Sequence, residues 1–203
     1  MNDQREFWND RFGREGYFYG TTPNRYLASH IDMLPPQQTL LFLGEGEGRN
    51  AVYASQCGHT VTALDAAEIG LAKTALLAQQ KGLEIALIHT DLEQWNPLQQ
   101  YDAIMCSFLH LTEPLRSEVF SKSLAQLNKG GVFVGEFFSI HQFSKNTGGP
   151  KALELLYTAN DLLAIMDTLP CDVLELCEMD TELQEGKVHN GLASVVRLKV
   201  RKR

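Results

Sequence analysis

The chain has 203 residues, 44% of them hydrophobic, and 25 acidic against 18 basic residues give a formal charge of -7. That length supports one substantial core, read as a single domain over 1–203, and the acidic balance argues against a nucleic-acid backbone as the main partner. Neither a secretory leader nor a membrane-length apolar run is visible, so the expectation is a cytoplasmic protein with no membrane partner.

The N-terminal segment, 1–34, holds Phe7, Trp8, Phe12, Tyr17, Phe18 and Tyr19. These are too many aromatics for a solvated tail, and they read either as core on a sheet edge or as a lid over a ligand. Thr22-Pro23 reads as an N-cap followed by proline at the first helical position, opening a helix that ends before Pro35-Pro36. From residue 39 the chain alternates strand and helix patterns. Strands are expected at 39–43, 59–64, 84–89, 101–107 and 132–138. Helices are expected at 49–56, 67–81 and 114–127, with Gly58 and Gly82 as stops. Lys129-Gly130-Gly131 reads as the loop into the fifth strand.

Apolar strands alternating with helices imply a parallel sheet covered on both faces. The C-terminal end departs from the alternation. Thr158 caps a helix to Leu169, strands follow at 172–181 and 192–200, and Gly186 and Gly191 punctuate the turn between them, so the last strand returns antiparallel. The predicted fold is therefore α/β: a doubly wound, Rossmann-like, mostly parallel seven-stranded sheet with its core at 39–203. The stretch 139–150, rich in glycine and polar residues, is the longest loop and a candidate rim of a site. The basic end Arg197, Lys199, Arg201, Lys202 and Arg203 reads as a solvated strand edge and tail. Cys57, Cys106, Cys171 and Cys177 lack metal-type spacing, so no metal is expected and all four read as reduced core residues.

The most informative stretch is Leu40-Leu41-Phe42-Leu43-Gly44-Glu45-Gly46-Glu47-Gly48-Arg49-Asn50. An apolar run feeds a loop with glycine at every second position, and a helix follows, which presents bare main chain and a helix N-terminus to a polar ligand. A Walker-type phosphate loop is excluded, because Arg49 and Asn50 stand where lysine and serine or threonine would be needed. The dinucleotide fingerprint would need glycine at position 49, so a nicotinamide oxidoreductase is disfavoured. Asp65 closes the second strand, where a carboxylate can accept both hydroxyls of a ribose. Asp91, at the end of the third, could accept from an adenine amine while the next backbone N–H serves a ring nitrogen. Taken singly, Asp65 reads equally well as a helix cap or turn residue and Asp91 reads more readily as an acidic turn residue; their joint occurrence at strand ends favours a ligand. Asp102 reads as structural.

These motifs together resemble class I S-adenosylmethionine (SAM) dependent methyltransferases over nearly the whole chain, and more narrowly the tellurite-resistance (TehB-type) and thiopurine methyltransferase group. The matching stretches are Phe7-Trp8-Asn9-Asp10-Arg11-Phe12, Tyr17 to Asn24, Gly44 to Asn50, Leu127 to Gly131, Thr147-Gly148-Gly149-Pro150 and His189-Asn190-Gly191. The resemblance implies SAM as cofactor, held by Gly44, Glu45, Gly46 and Gly48 at its methionine end, Asp65 and Ala66 at the ribose, Asp91 and Leu92 at the adenine, with Ser107 and Tyr19 completing the site.

Two positions depart from the group: Phe42 stands where an aspartate usually begins the loop, and Glu45 where a small residue follows the first glycine. Glu45 is expected either to compensate for the missing charge or to point to solvent. Arg49 as holder of an anionic substrate, and His110 and His189 as base or orienter, are the catalytic candidates, although each alone reads more readily as structural. The expected function is methyl transfer to a small-molecule nucleophile, a thiol or a chalcogen oxyanion such as tellurite or selenite, by a monomer or homodimer. The alternative is a SAM-binding protein of the same fold with a sensing or interaction role.

Overall fold

The first β-strand, β1 (Thr39–Leu43), is apolar throughout, and Leu40, Leu41, Phe42 and Leu43 are all buried. A strand of that kind needs cover on both faces, which short β-α crossovers supply. The computed structural model describes residues 2–97 and 99–203, and it divides into two compact units, Met1–Trp95 with Glu185–Val188, and Asn96–Gln184 with His189–Arg203.

The N-terminal unit begins with α1 (Asn2–Phe12) and α2 (Arg25–Ile31), then alternates β1, α3 (Arg49–Gln56), β2 (Thr60–Asp65), α4 (Glu68–Gln80) and β3 (Ala86–His89). The strands β1, β2 and β3 pair in parallel, with Phe42 beside Ala63 and Asp65 beside His89. α3 packs on β1 and β2, and α4 on β2 and β3. Helix α2 opens two residues later than expected. Its cap is Asn24, whose side chain accepts from Leu27 N, so Thr22-Pro23 stays outside the helix.

The C-terminal unit holds β4 (Tyr101–Ser107), α5 (Leu115–Gln126), β5 (Leu127–Phe138), 3-10 turns at Ile140–Ser144 and Leu153–Leu155, α6 (Ala159–Met166), β6 (Cys171–Glu185) and β7 (His189–Lys202). β4 and β5 run parallel, and β7 returns antiparallel to β5. The seven strands follow the order β3-β2-β1-β4-β5-β7-β6, the mostly parallel Rossmann-like sheet expected from the sequence. Lys129-Gly130-Gly131 is not a free loop but part of β5, where the register with β4 shifts. A Cβ at Gly131 would stand 2.9 Å from the carbonyl oxygens of Asn128 and Asp102, so glycine is needed for this close approach. Asp102 is structural, accepting from the Asn128 amide at 2.7 Å.

Three further expectations are corrected. β7 lies between β5 and β6, so it is not the sheet edge; Arg197 is paired with Glu136 at 2.7 Å, and Lys202 donates to the carbonyls of Ala125 and Leu127. The hairpin strands β6 and β7 are longer at both ends than the apolar pattern indicated, because β6 alternates exposed acids that hide its strand character. Of the cysteines only Cys106 and Cys171 are buried; Cys57 is exposed and Cys177 half-buried, and all four are free thiols. No helix among the described residues is long and apolar enough to cross a membrane.

Asn24 is fully buried: it caps α2, donates to Glu185 Oε1 at 2.9 Å, and its backbone N–H donates to Asn50 Oδ1 at 2.9 Å. Asn24→Ala should lower unfolding stability by about 1–2 kcal/mol, from the lost cap and the unsatisfied carboxylate oxygen, read as a shift of the urea midpoint without a change in slope.

Candidate cofactor site

After Leu43 the chain turns through Gly44, Gly46 and Gly48, which adopt φ of 61°, 64° and 90°. Gly48 stands at the N-cap of α3 and offers no side chain to satisfy the helix amides. Glu45 does that work. Its Oε1 accepts from Asn50 N and Ala51 N, each at 2.8 Å, and its Oε2 from the Asn50 side-chain amide at 3.3 Å. Burial pushes the Glu45 carboxyl up to about 7, against the lowering effect of these donors and of Arg49. The expectation that it points to solvent fails: the side chain is turned inward and caps α3 from within the loop. Phe42 is 0% exposed.

Asp65, at the end of β2, is 8% exposed and bridges two chain segments. Its Oδ2 accepts from Gly46 N at 2.8 Å and its Oδ1 from Ala67 N at 2.7 Å, which locks the glycine loop to the following crossover. Burial pushes this carboxyl up to about 6, partly offset by the amide donors and by His89. The end of β3 lies alongside: Thr90 N donates to Asp65 O at 3.1 Å, and His89 Nε2 lies 3.1 Å from Ala66 O. Asp91 is half-buried and accepts from Glu93 N at 3.1 Å, while Leu92 is buried. Asp65, Ala66, Asp91 and Leu92 are thus brought together at the carboxyl ends of paired parallel strands, where open α/β sheets bind ligands.

The three glycines differ in use. A Cβ on Gly46 would stand 2.8 Å from the Phe12 ring, and one on Gly48 would stand 2.7 Å from Thr74 Oγ1. Those two serve close internal packing. Gly44 remains the half-exposed glycine of the turn.

Sequence reasoning missed the role of Glu47. Only 4% exposed, it reaches back to the N-terminal segment: Oε2 accepts from Phe18 N at 2.7 Å and Tyr19 N at 3.3 Å, and Oε1 is paired with Lys73 at 2.9 Å. Lys73 Nζ also donates to the carbonyls of Arg14 and Gly16. The aromatic segment is therefore clasped to the glycine loop, with Phe12 against Gly46. An acid between two glycines was the available signal, but its partner lies 29 residues away in sequence. Arg49 is placed differently from the expectation that it presents its charge to an anionic substrate. Its guanidinium is buried against Glu185 at 2.8 Å.

A methyltransferase-domain family profile matches residues 40–131. Residues 40–131 are therefore similar to a methyltransferase domain. A ubiquinone biosynthesis O-methyltransferase of Paramagnetospirillum magneticum is 30% identical over 117 residues, 55% of this chain and 47% of that protein. The chain thus spans about half the length of this curated relative. TehB from Haemophilus influenzae shares the fold at a TM-score of 0.73 and 19% identity, over 98% of this chain and 67% of that one. Magnesium protoporphyrin IX methyltransferase from Synechocystis, crystallised with S-adenosylhomocysteine, aligns at 0.73 and 16% identity over 100% of this chain and 99% of that one.

The remaining candidates belong to the C-terminal unit of this methyltransferase fold. Ser107 ends β4 and is half-buried. Phe108 follows at φ 54°, a left-handed conformation unusual for a bulky side chain, and its N–H donates to Glu136 O at 2.7 Å. Its ring stacks on Phe138 at 4.4 Å and meets His189 edge-on at 4.9 Å, while His110 stacks on Phe138 at 6.1 Å. A Cβ on Gly148 would collide with the His189 ring, so the expected rim loop closes against this cluster. His110 and His189 are therefore brought to one aromatic cluster, and Arg49 belongs to the other unit. A separate cavity of about 730 Å³ lies among Ser139, His141, Lys145, Glu178, Asp180 and neighbouring residues. Its charges are already paired, Lys145 with Asp180 at 2.7 Å and Ser139 with Glu178 at 2.9 Å. Among the described residues no cluster of histidine, cysteine and carboxylate side chains could hold a metal ion.

Two measurements check this geometry. A carboxyl raised from 4.5 to about 7 in the folded state adds stability that is fully present below pH 4.5 and lost as pH rises through 7. Over that window the loss amounts to about 3 kcal/mol at 1.36 kcal/mol per unit. Asp65 titrates in an overlapping range, so the difference between proteins isolates Glu45: Glu45→Gln should flatten the fall in stability between pH 5 and 7, measured by urea titration at each pH. Glu47→Gln should cost about 2 kcal/mol through the weakened Lys73 pair and the Phe18 and Tyr19 amides, and trypsin should cut faster at Arg11 and Arg14.

Proposed function

We propose that the protein transfers a methyl group from SAM to a small-molecule nucleophile. The observation that carries this reading is the Asp65 carboxylate, held between Gly46 N and Ala67 N at the rim of the parallel sheet. Each of its oxygens keeps a lone pair for a ribose hydroxyl, and Asp91 and Leu92 stand beside it for the adenine. The residues present fit the cofactor at its nucleoside end. At the methionine end, main-chain atoms of Gly44 and the clasped aromatic segment are the available contacts, and the buried faces of Phe12 and Tyr19 exclude water from them.

SAM supplies a methyl already activated on a positively charged sulfur. The protein's contribution is then alignment, worth on the order of 7–11 kcal/mol when a nucleophile is held in line. An acceptor that is anionic near neutral pH needs no base. A tellurium or selenium oxyanion meets that condition, and a thiol meets it once it has lost its proton to solvent and reacts as the thiolate. Arg49 is spent on Glu185 and drops out as the anion holder.

A second reading is favoured by Phe42 and by the internal use of Glu45: a SAM-binding protein that senses or signals without turnover. The two separate by experiment. S-adenosylhomocysteine at a hundred times its dissociation constant should stabilise the protein by about 2.7 kcal/mol, and Asp65→Asn should lose most of that shift. Labelled SAM with a panel of thiols, selenite and tellurite should yield methylated product. Binding without product across the panel favours the sensing role, and absence of binding overturns both readings.

A further inference from the structure

We propose that Arg11 holds the carboxylate of the methionyl end of SAM, an inference that rests on the cofactor assignment above. The methionyl end is a zwitterion and needs a charged or strongly polar partner. Around the glycine loop nearly every charge is already spent. Glu45 caps α3, Glu47 is shared between Lys73 and two backbone amides, and Arg49 is neutralised by Glu185. Phe42 replaces the strand-one acid with a buried ring.

Arg11 is different. Among the described residues it has no carboxylate partner; its Nη1 donates to the Tyr19 hydroxyl at 2.9 Å, and its guanidinium stacks over Phe7 at 4.4 Å and over Trp8 and Phe18 at 5.2 Å each. An aromatic box and one neutral oxygen fix the orientation of the fork without cancelling its charge, which suits bidentate capture of a carboxylate. The next residue, Phe12, packs on Gly46, so this cation is carried on the segment that covers the loop. Tyr19 is held by Glu47 through its backbone N–H, and its hydroxyl, which accepts from Arg11, keeps its own proton as a second donor beside the guanidinium. The cofactor's amino-acid end is then gripped through its carboxylate from the N-terminal segment.

The test compares two ligands by calorimetry: S-adenosylhomocysteine, which carries the carboxylate, and 5′-methylthioadenosine, which lacks the amino-acid group. Arg11→Met keeps the apolar stem against the aromatic rings. It should weaken S-adenosylhomocysteine about tenfold, as expected for one charge-assisted pair, and leave 5′-methylthioadenosine unchanged; Arg11→Lys should recover part of the loss. Tyr19→Phe, which removes one oxygen and no packing, should give a smaller loss with the same selectivity, and it stands in if Arg11→Met does not fold. Equal weakening of both ligands, or unchanged S-adenosylhomocysteine affinity, overturns the proposal. A wild-type protein that binds neither ligand overturns the cofactor assignment itself, a result distinct from a failure at Arg11.

Discussion

A buried carboxylate shared between two backbone amides sets the geometry of this protein's ligand-binding end. Asp65 joins the loop after β1 to the crossover after β2, with distances of 2.8 and 2.7 Å to Gly46 N and Ala67 N. Burying an acid is unfavourable unless donors converge on it, and here the donors come from two separate chain segments. The loop therefore cannot relax without exposing a charge to a poor environment. Glu45 repeats the device one strand over, capping α3 from within the loop. The left-handed turns at Gly46 and Gly48 follow from that closure, and so does the seat that Gly46 offers to Phe12.

The repeated β-α pattern of the core was legible because each apolar run of five to seven residues is bounded by glycine or a charged turn. β1 and β4 were read to the residue, and α3 likewise. What pattern could not supply was the bookkeeping of side-chain hydrogen bonds. Thr22-Pro23 and Asn24 are both good helix openings, and Asn24 prevails because Leu27 N and Glu185 converge on its side chain. Lys129-Gly130-Gly131 carries turn chemistry, yet the register shift lets it stay in β5. β6 escaped in length at its far end, where Glu182, Gln184 and Glu185 break the apolar signal of an edge strand.

The candidate site divides the same way. Glycines at alternate positions and aspartates at strand ends were visible in sequence, since their spacing follows from β-strand and turn geometry. The fates of Glu45, Glu47 and Arg49 were not, because each is decided by a partner distant in sequence or by burial. Arg49 in particular looks like an exposed cation at a helix start; only the folded chain brings Glu185, 136 positions later in the numbering, against it. The result is a loop rich in charged residues that displays little charge, and an N-terminal segment tied to that loop through Glu47 as well as through hydrophobic packing.

The central claim, that a cofactor nucleoside lodges at the carboxyl ends of β1, β2 and β3, is tested most directly by backbone amide NMR with and without S-adenosylhomocysteine. The account predicts shift changes and slowed hydrogen exchange concentrated at Gly44–Gly48, Asp65–Ala67 and Asp91–Leu92. Saturable binding whose changes fall instead around Ser139, Lys145 and Asp180, with the glycine loop untouched, would contradict it.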